Sequence, residues 1–222
     1  MRSFYAILFL LTIASGCRKN AIVPNINHSS KYQPLEIGNT WTYEVDSIVF
    51  YGNGTQKPDT FRFLARHTVI SSFMDNQERI AFLIKRETKV DSFSPWLFKE
   101  NFSEIKTSTE VLRTIRDETN LPITFPISLN KEWDGNQFNN KPRLESFFEE
   151  IHIPAIIGPY NLDSVSTVFQ EQEINAINRR FVRETYAANM GLVKREVENI
   201  SNVESSDPKG TKYTFVLKSF EK

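Results

Sequence analysis

The chain has 222 residues, with 27 Lys and Arg balanced by 27 Asp and Glu, three His and one Cys. A net charge of zero without a basic stripe excludes a protein that tracks nucleic-acid phosphates, and one cysteine excludes a disulfide-stapled scaffold. With 18 Phe, 7 Tyr and 3 Trp, the chain has apolar mass for one sizeable core, and its length predicts a single folded domain.

Residues 1–16 read as a signal peptide. Arg2 opens the segment, Ala6-Ile7-Leu8-Phe9-Leu10-Leu11 forms an apolar run, and Ala14-Ser15-Gly16 supplies small residues before Cys17. The run is too short to cross a bilayer, which takes about 20 apolar residues as a helix. Ala14-Ser15-Gly16-Cys17 resembles the lipobox of bacterial lipoproteins, departing from it where Ala14 stands in place of the usual leucine. That resemblance implies lipid attachment at Cys17, acyl chains (palmitate among them) and anchoring in a membrane. Two or more chains anchor stably, at about 0.8 kcal/mol per buried methylene. The residue after Cys17 is Arg18 rather than Asp, which points to the outer membrane by the sorting rule of Gram-negative lipoproteins. Residues 17–31 are polar and aperiodic and read as a lipidated flexible tether.

From Tyr32 to Lys222 the dominant pattern has period two, so 32–222 is expected to be one antiparallel β domain. Strands are expected over 41–51, 61–70, 79–90, 100–104, 111–116, 164–174, 179–186, 191–197 and 212–219, with turns at Gly52-Asn53-Gly54, Asp75-Asn76, Asn175–Asn178 and Ala188–Gly191. Arg143–Ile151 fits two turns of helix or a strand. The fold class is therefore mainly β: a strongly curved sheet or barrel with little helix. Pro34-Leu35-Glu36-Ile37-Gly38-Asn39-Thr40-Trp41 echoes Pro126-Ile127-Ser128-Leu129-Asn130-Lys131-Glu132-Trp133 without gaps, 92 residues later. The echo reads as a repeated corner in which Trp starts a strand and plugs one end of a sheet.

Two segments carry a wider likeness. Pro34-Leu35 through Gly38, Trp41 and Tyr43, and Tyr186-Ala187 through Gly191-Leu192-Val193-Lys194, are similar to the "PLxxGxxWxY" and "YAxxxGLVK" segments of a group of uncharacterised Gram-negative lipoproteins. The resemblance implies a small β domain on a lipid anchor and no activity. It gives Gly38 and Gly191 turn roles, and it places Trp41, Tyr43 and Leu192 in the core.

Catalytic spacing is missing from the sequence. His28, His67 and His152 are dispersed, there is no nucleophile elbow or phosphate loop, and Pro208-Lys209-Gly210 reads as a turn. Glu149-Glu150 and Glu171-Gln172-Glu173 read as solvated strand faces. The expectation is no enzyme, no metal and no cofactor. The one positive lead is aromatic: Phe93, Trp96 and Phe98 sit together in a turn-like stretch and are the candidate binding residues, although core or the lip of a barrel cavity is the preferred placement. Two functions follow. The first is a non-catalytic envelope module, binding a protein partner or serving a structural role. The second is a carrier of an apolar ligand inside a barrel or half-barrel. A filled interior with an exposed 92–98 segment favours the module.

Overall fold

In the computed structural model, residues 30–222 are described; Cys17, the signal segment and the tether as far as residue 29 lie outside them. After a 3-10 turn at Ser30–Tyr32 the chain makes twelve strands. They are β1 (Thr40–Tyr51), β2 (Asp59–Met74), β3 (Ile80–Lys89), β4 (Leu97–Lys106), β5 (Glu110–Ile115), β6 (Glu118–Thr124), β7 (Glu132–Asp134), β8 (Glu145–Ile157), β9 (Tyr160–Ile174), β10 (Asn178–Ala187), β11 (Gly191–Ser201) and β12 (Lys209–Glu221). All twelve lie in one antiparallel sheet, ordered β6-β5-β4-β3-β2-β1-β12-β11-β10-β9-β8-β7. Every strand therefore pairs with its sequence neighbour, the first strand pairs with the last, and only β6 and β7 lack a ladder between them. The result is a nearly closed barrel.

The sequence explains the long ladders. β1 alternates Trp41, Tyr43 and Val45, all buried, with Thr42, Glu44 and Asp46, which face out. It pairs along its whole length with β12, from Thr40↔Glu221 to Tyr51↔Lys209, and with β2, from Thr40↔Thr68 to Val49↔Asp59. The two open edges are sutured rather than bare. Leu121 N donates to Gly135 O at 2.8 Å across the seam, and the Trp133 indole N–H donates to Leu121 O at 2.9 Å. An edge backbone satisfied in this way offers little template for pairing with another chain.

The echoing segments lead into β1 and β7, the first strands of two six-strand halves. Trp41 donates from Nε1 to Met190 O at 2.5 Å and stacks on Phe220. Trp133 closes the seam and packs on Phe148. The expected corner thus occurs twice, at equivalent places. Gly38 and Gly191 adopt φ of +101° and +84°, the turn conformations expected of them.

Because neighbouring strands are antiparallel, connections alternate between two ends. The described chain starts at what we term the proximal end, with β2–β3, β4–β5, β6–β7, β8–β9 and β10–β11. The distal end holds β1–β2, β3–β4, β5–β6, β7–β8, β9–β10 and β11–β12. The proximal mouth is plugged by the end of the 3-10 turn and the segment after it: Tyr32, Gln33 and Leu35 are all buried. Tyr32 Oη is 2.8 Å from His152 Nδ1 and 2.7 Å from Ser164 Oγ, Lys106 Nζ donates to Gln33 O, and Asn189 N donates to Lys31 O.

Three features add to the sequence reading. Arg143–Ile151, open there between helix and strand, is strand: most of it belongs to β8, whose Phe148 faces the core beside Trp133. β6 carries Pro122, which a strand tolerates here because β6 is an edge of the sheet. β8 and β9 pair with three register shifts, and their hairpin bends back onto the outside of the barrel. The hairpin tip at Gly158 lies against the backbone of Leu217, and Phe220 N donates to Tyr160 Oη at 3.0 Å.

Candidate functional site

Two apolar clusters fill much of the molecule, one around Leu121, Ile123, Phe148, Val168 and Tyr186, the other around Trp41, Tyr43, Val45, Val69 and Leu217. Between them lies a charged centre. Arg113, on β5, places Nε 2.6 Å from Glu104 Oε1 on β4 and Nη1 2.7 Å from Glu184 Oε1 on β10. Glu104 and Glu184 are each 1% exposed. Gln33 Nε2 donates to the second oxygen of Glu104 at 2.5 Å, and the Tyr186 hydroxyl donates to the second oxygen of Glu184. Arg195 Nε lies 3.1 Å from Glu184.

The electrostatics follow from this geometry. Burial raises the Glu184 carboxyl, but Arg113 and Arg195 outweigh it and hold the group below the usual carboxylate range. Burial likewise opposes the charge on Arg113, and Glu184 and Glu104 overcome that and raise it further. His67, buried on β2, accepts from Arg86 Nε at 3.0 Å through Nε2, so its proton sits on Nδ1. Burial first, then the positive charges of Arg86, Arg113 and Arg195, push His67 well below the ordinary imidazole value, and it is neutral at pH 7. Arg86 in turn pairs with Glu100 at 2.6 Å and lies over the Phe102 ring.

A cavity of about 20 Å³ adjoins this network, lined among others by Gln33, His67, Arg86, Glu104 and Arg195. It has room for about one ordered water. Gln33 Oε1 on its wall lacks a hydrogen-bond partner, and charged groups line the rest, so the space suits a polar occupant rather than an acyl chain. None of the candidate chemistries is assembled among the described residues: no group of three metal-ligating side chains occurs, and His67 and His152 lie in separate environments.

The aromatic turn is outside the core. Phe93 is 99% exposed and Phe98 is 60% exposed, with Val90 and Leu97 also uncovered. This corrects the preferred placement of the segment as core. The physical reason is that the turn between β3 and β4 projects past the ladder, which runs only from Ala81↔Ile105 to Thr88↔Leu97. The turn is nonetheless organised. Asp91 Oδ1 accepts from Phe93 N at 2.8 Å, Ser94 N at 2.8 Å and Ser94 Oγ at 2.9 Å. Those bonds hold the Asp91 carboxyl below its usual range. Trp96 is separated from Phe93 in role: Arg66 lies over its ring at 4.3 Å from the centroid and Lys89 at 4.8 Å. Only the backbone-fixed turn and the Trp96 cage could be sought from the sequence, through the Asp-x-x-Ser spacing. The Glu104–Arg113–Glu184 centre could not, because buried strand charges have the same period as exposed ones.

No family model and no curated protein matches the chain. Two solved structures are similar. One is a proposed exported protein with a YmcC-like fold from Bacteroides fragilis (14% identity, 86% of this chain and 98% of that one, TM-score 0.45). The other is a proposed lipoprotein from Parabacteroides distasonis (13% identity, 86% and 98%, TM-score 0.43).

Proposed function

We propose that the protein is a lipid-anchored component of the cell envelope that docks a protein partner through its β3–β4 turn and performs no catalysis. The observation that carries this reading is Phe93, fully exposed on a turn whose backbone is already fixed by Asp91. An aromatic side chain presented without a conformational search loses little entropy on binding and suits a hot spot. The turn lies at the distal end, opposite the end at which the described chain starts. Lys89, held over Trp96, gives the turn a basic flank, while Arg66 on the same ring is paired with Glu87 at 2.7 Å, which fits an apolar socket with an acidic residue facing Lys89. Outer-membrane placement rests on the lipobox and Arg18.

The carrier reading has less support. The centre of the barrel holds ion pairs rather than an apolar hollow, and the space beside them accepts one water.

The test is a photo-crosslinking amino acid placed at position 93 in the full chain, expressed in its native envelope, with position 53 as the control. A single adduct from 93, absent at 53 and lost with Phe98→Asp, is expected. No adduct at 93, or the same adducts from both positions, removes the turn as the docking site.

A further inference from the structure

We infer that the distal mouth of the barrel, beside the β6–β7 seam, is a binding cleft for a neutral saccharide. The cleft has a volume of about 310 Å³, at the small end of the range of about 300–1,000 Å³ found for small-molecule sites. Its wall is dominated by side-chain amides: Asn120 on β6, Asn136 in the β7–β8 connection, Gln170 and Gln172 on β9, and Asn199 on β11. The ladders place Gln170, Val182, Val197 and Asn199 on the face that also carries Glu184 and Arg195, so the cleft continues the barrel interior outward.

The chemistry of the wall selects the ligand. An amide presents an acceptor and a two-hydrogen donor in one plane, which matches hydroxyl groups that both donate and accept. Gln172 and Asn199 make no side-chain hydrogen bond among the described residues and are exposed, so their full capacity is available. Asn120 uses its oxygen toward Asn139 at 3.3 Å, and Asn136 donates to Pro142 O at 2.7 Å, which fixes both amides. Arg180 adds a further signal. Its Nη1 and Nη2 are occupied by Glu173 and Ser201, while its buried Nε has no partner, a donor that a ligand hydroxyl would satisfy.

Charge argues against the alternatives. Every charged side chain on the wall is already paired: Lys141 with Glu118 at 2.5 Å, Arg180 with Glu173 at 3.0 Å, and Glu198 with Lys212 at 2.6 Å. The cleft therefore has no uncompensated charge to draw an ion. The exposed Gln172 and Asn199 amides would be stripped of water without replacement by an acyl chain. Val182, Val197 and Leu144 supply the apolar patches that the C–H face of a sugar ring covers. This site is separate from the β3–β4 turn, and either can fail without the other.

The experiment is saturation-transfer NMR on the full chain in an amine-oxide detergent, which carries no sugar head group. The probes are glucose, galactose, mannose, N-acetylglucosamine, maltose, cellobiose and diacetylchitobiose, each at about 10 mM, where even weak ligands of millimolar Kd register. Transfer to at least one sugar is expected, with affinity reduced at least about tenfold in Gln172→Ala combined with Asn199→Ala, as loss of one or two hydrogen bonds predicts. Both positions are exposed, so an unchanged thermal midpoint is expected alongside. Transfer to none of the seven sugars, or equal binding by the double variant, overturns the assignment.

Discussion

Arg113→Met is the substitution that interrogates the barrel centre most directly. Methionine keeps much of the side-chain volume and removes the guanidinium that faces two carboxylates, each almost wholly buried. The loss is not that of two ion pairs but of leaving Glu104 and Glu184 without their shared partner in a low-dielectric site, typically about 3–5 kcal/mol. For a chain of this size each kcal/mol moves the thermal midpoint by about 2–4 °C, so a fall of about 6–20 °C is expected. The pH dependence supplies the internal control. In the native protein Glu184 is held below its unfolded value, so its contribution is complete above the unfolded carboxylate range and is lost as pH falls below about 5. Burial is already the largest single influence on Glu184, and without Arg113 it is opposed only by Arg195 and the Tyr186 hydroxyl, so the native form takes up a proton more readily than it does in the parent. Lowering the pH then harms the variant less than the parent, and the gap between them narrows. Urea denaturation at pH 7 and pH 4, on the parent, on Arg113→Met and on the triple variant that adds Glu104→Gln and Glu184→Gln, measures each quantity. The triple variant should regain part of the loss, because it removes both buried carboxylates, while Arg195, which is partly solvated, gives up its Glu184 partner. A single-variant loss below about 1 kcal/mol, or an equal deficit at both pH values, would falsify the assignment of this triad as a charge-compensated centre.

Two further outcomes follow from local geometry. His67 is neutral and buried while its unfolded counterpart titrates near 6.5, so the unfolded state binds the extra proton and stability must rise with pH. The rise should be visible across the range in which the unfolded imidazole titrates, and His67→Gln should flatten it in denaturant titrations. Gly210 has φ +141°, and a Cβ there would overlap the carbonyl oxygen of Asn199 on the paired strand. Gly210→Ala should cost at least about 2 kcal/mol in calorimetry, since backbone on both sides leaves nothing flexible to move.

How much of this was legible beforehand depends on the residue. Strands β1, β2, β3 and β9 to β12 declare themselves because one face is apolar and the other is not, and the expected ranges fall largely inside them. β6 and β7 were missed, the first because Glu118–Thr124 contains Pro122 and the second because it has three residues. Trp133 nonetheless marked the right place through its echo of Trp41. Among the candidate binding residues, Phe93, Trp96 and Phe98 stand out in the sequence as a group by their density. Their exposure could not be read, since it depends on where the β3–β4 ladder stops. Glu104, Arg113 and Glu184 are separated by up to 80 positions and meet only through the closure of the sheet. The amide cleft is hidden for the same reason: Asn120, Gln172 and Asn199 come from three strands that the sequence never places side by side.

The pairing of the first strand with the last bears on how the chain acquires its shape. Ten of the eleven ladders join strands consecutive in sequence, each a short loop closure. The β1–β12 ladder instead joins residues about 170 positions apart, and it is among the longest in the molecule. Until the C-terminal strand arrives, β1 and β11 present long unpaired borders rich in β-branched and aromatic side chains. Non-local closure of this kind is slow relative to hairpin formation, and open borders in a waiting intermediate invite association with other chains. The interval before Lys209–Glu221 docks is therefore when a nascent molecule is most vulnerable, and shortening or weakening β12 should lower the yield of soluble protein before it lowers the stability of the molecules that do fold.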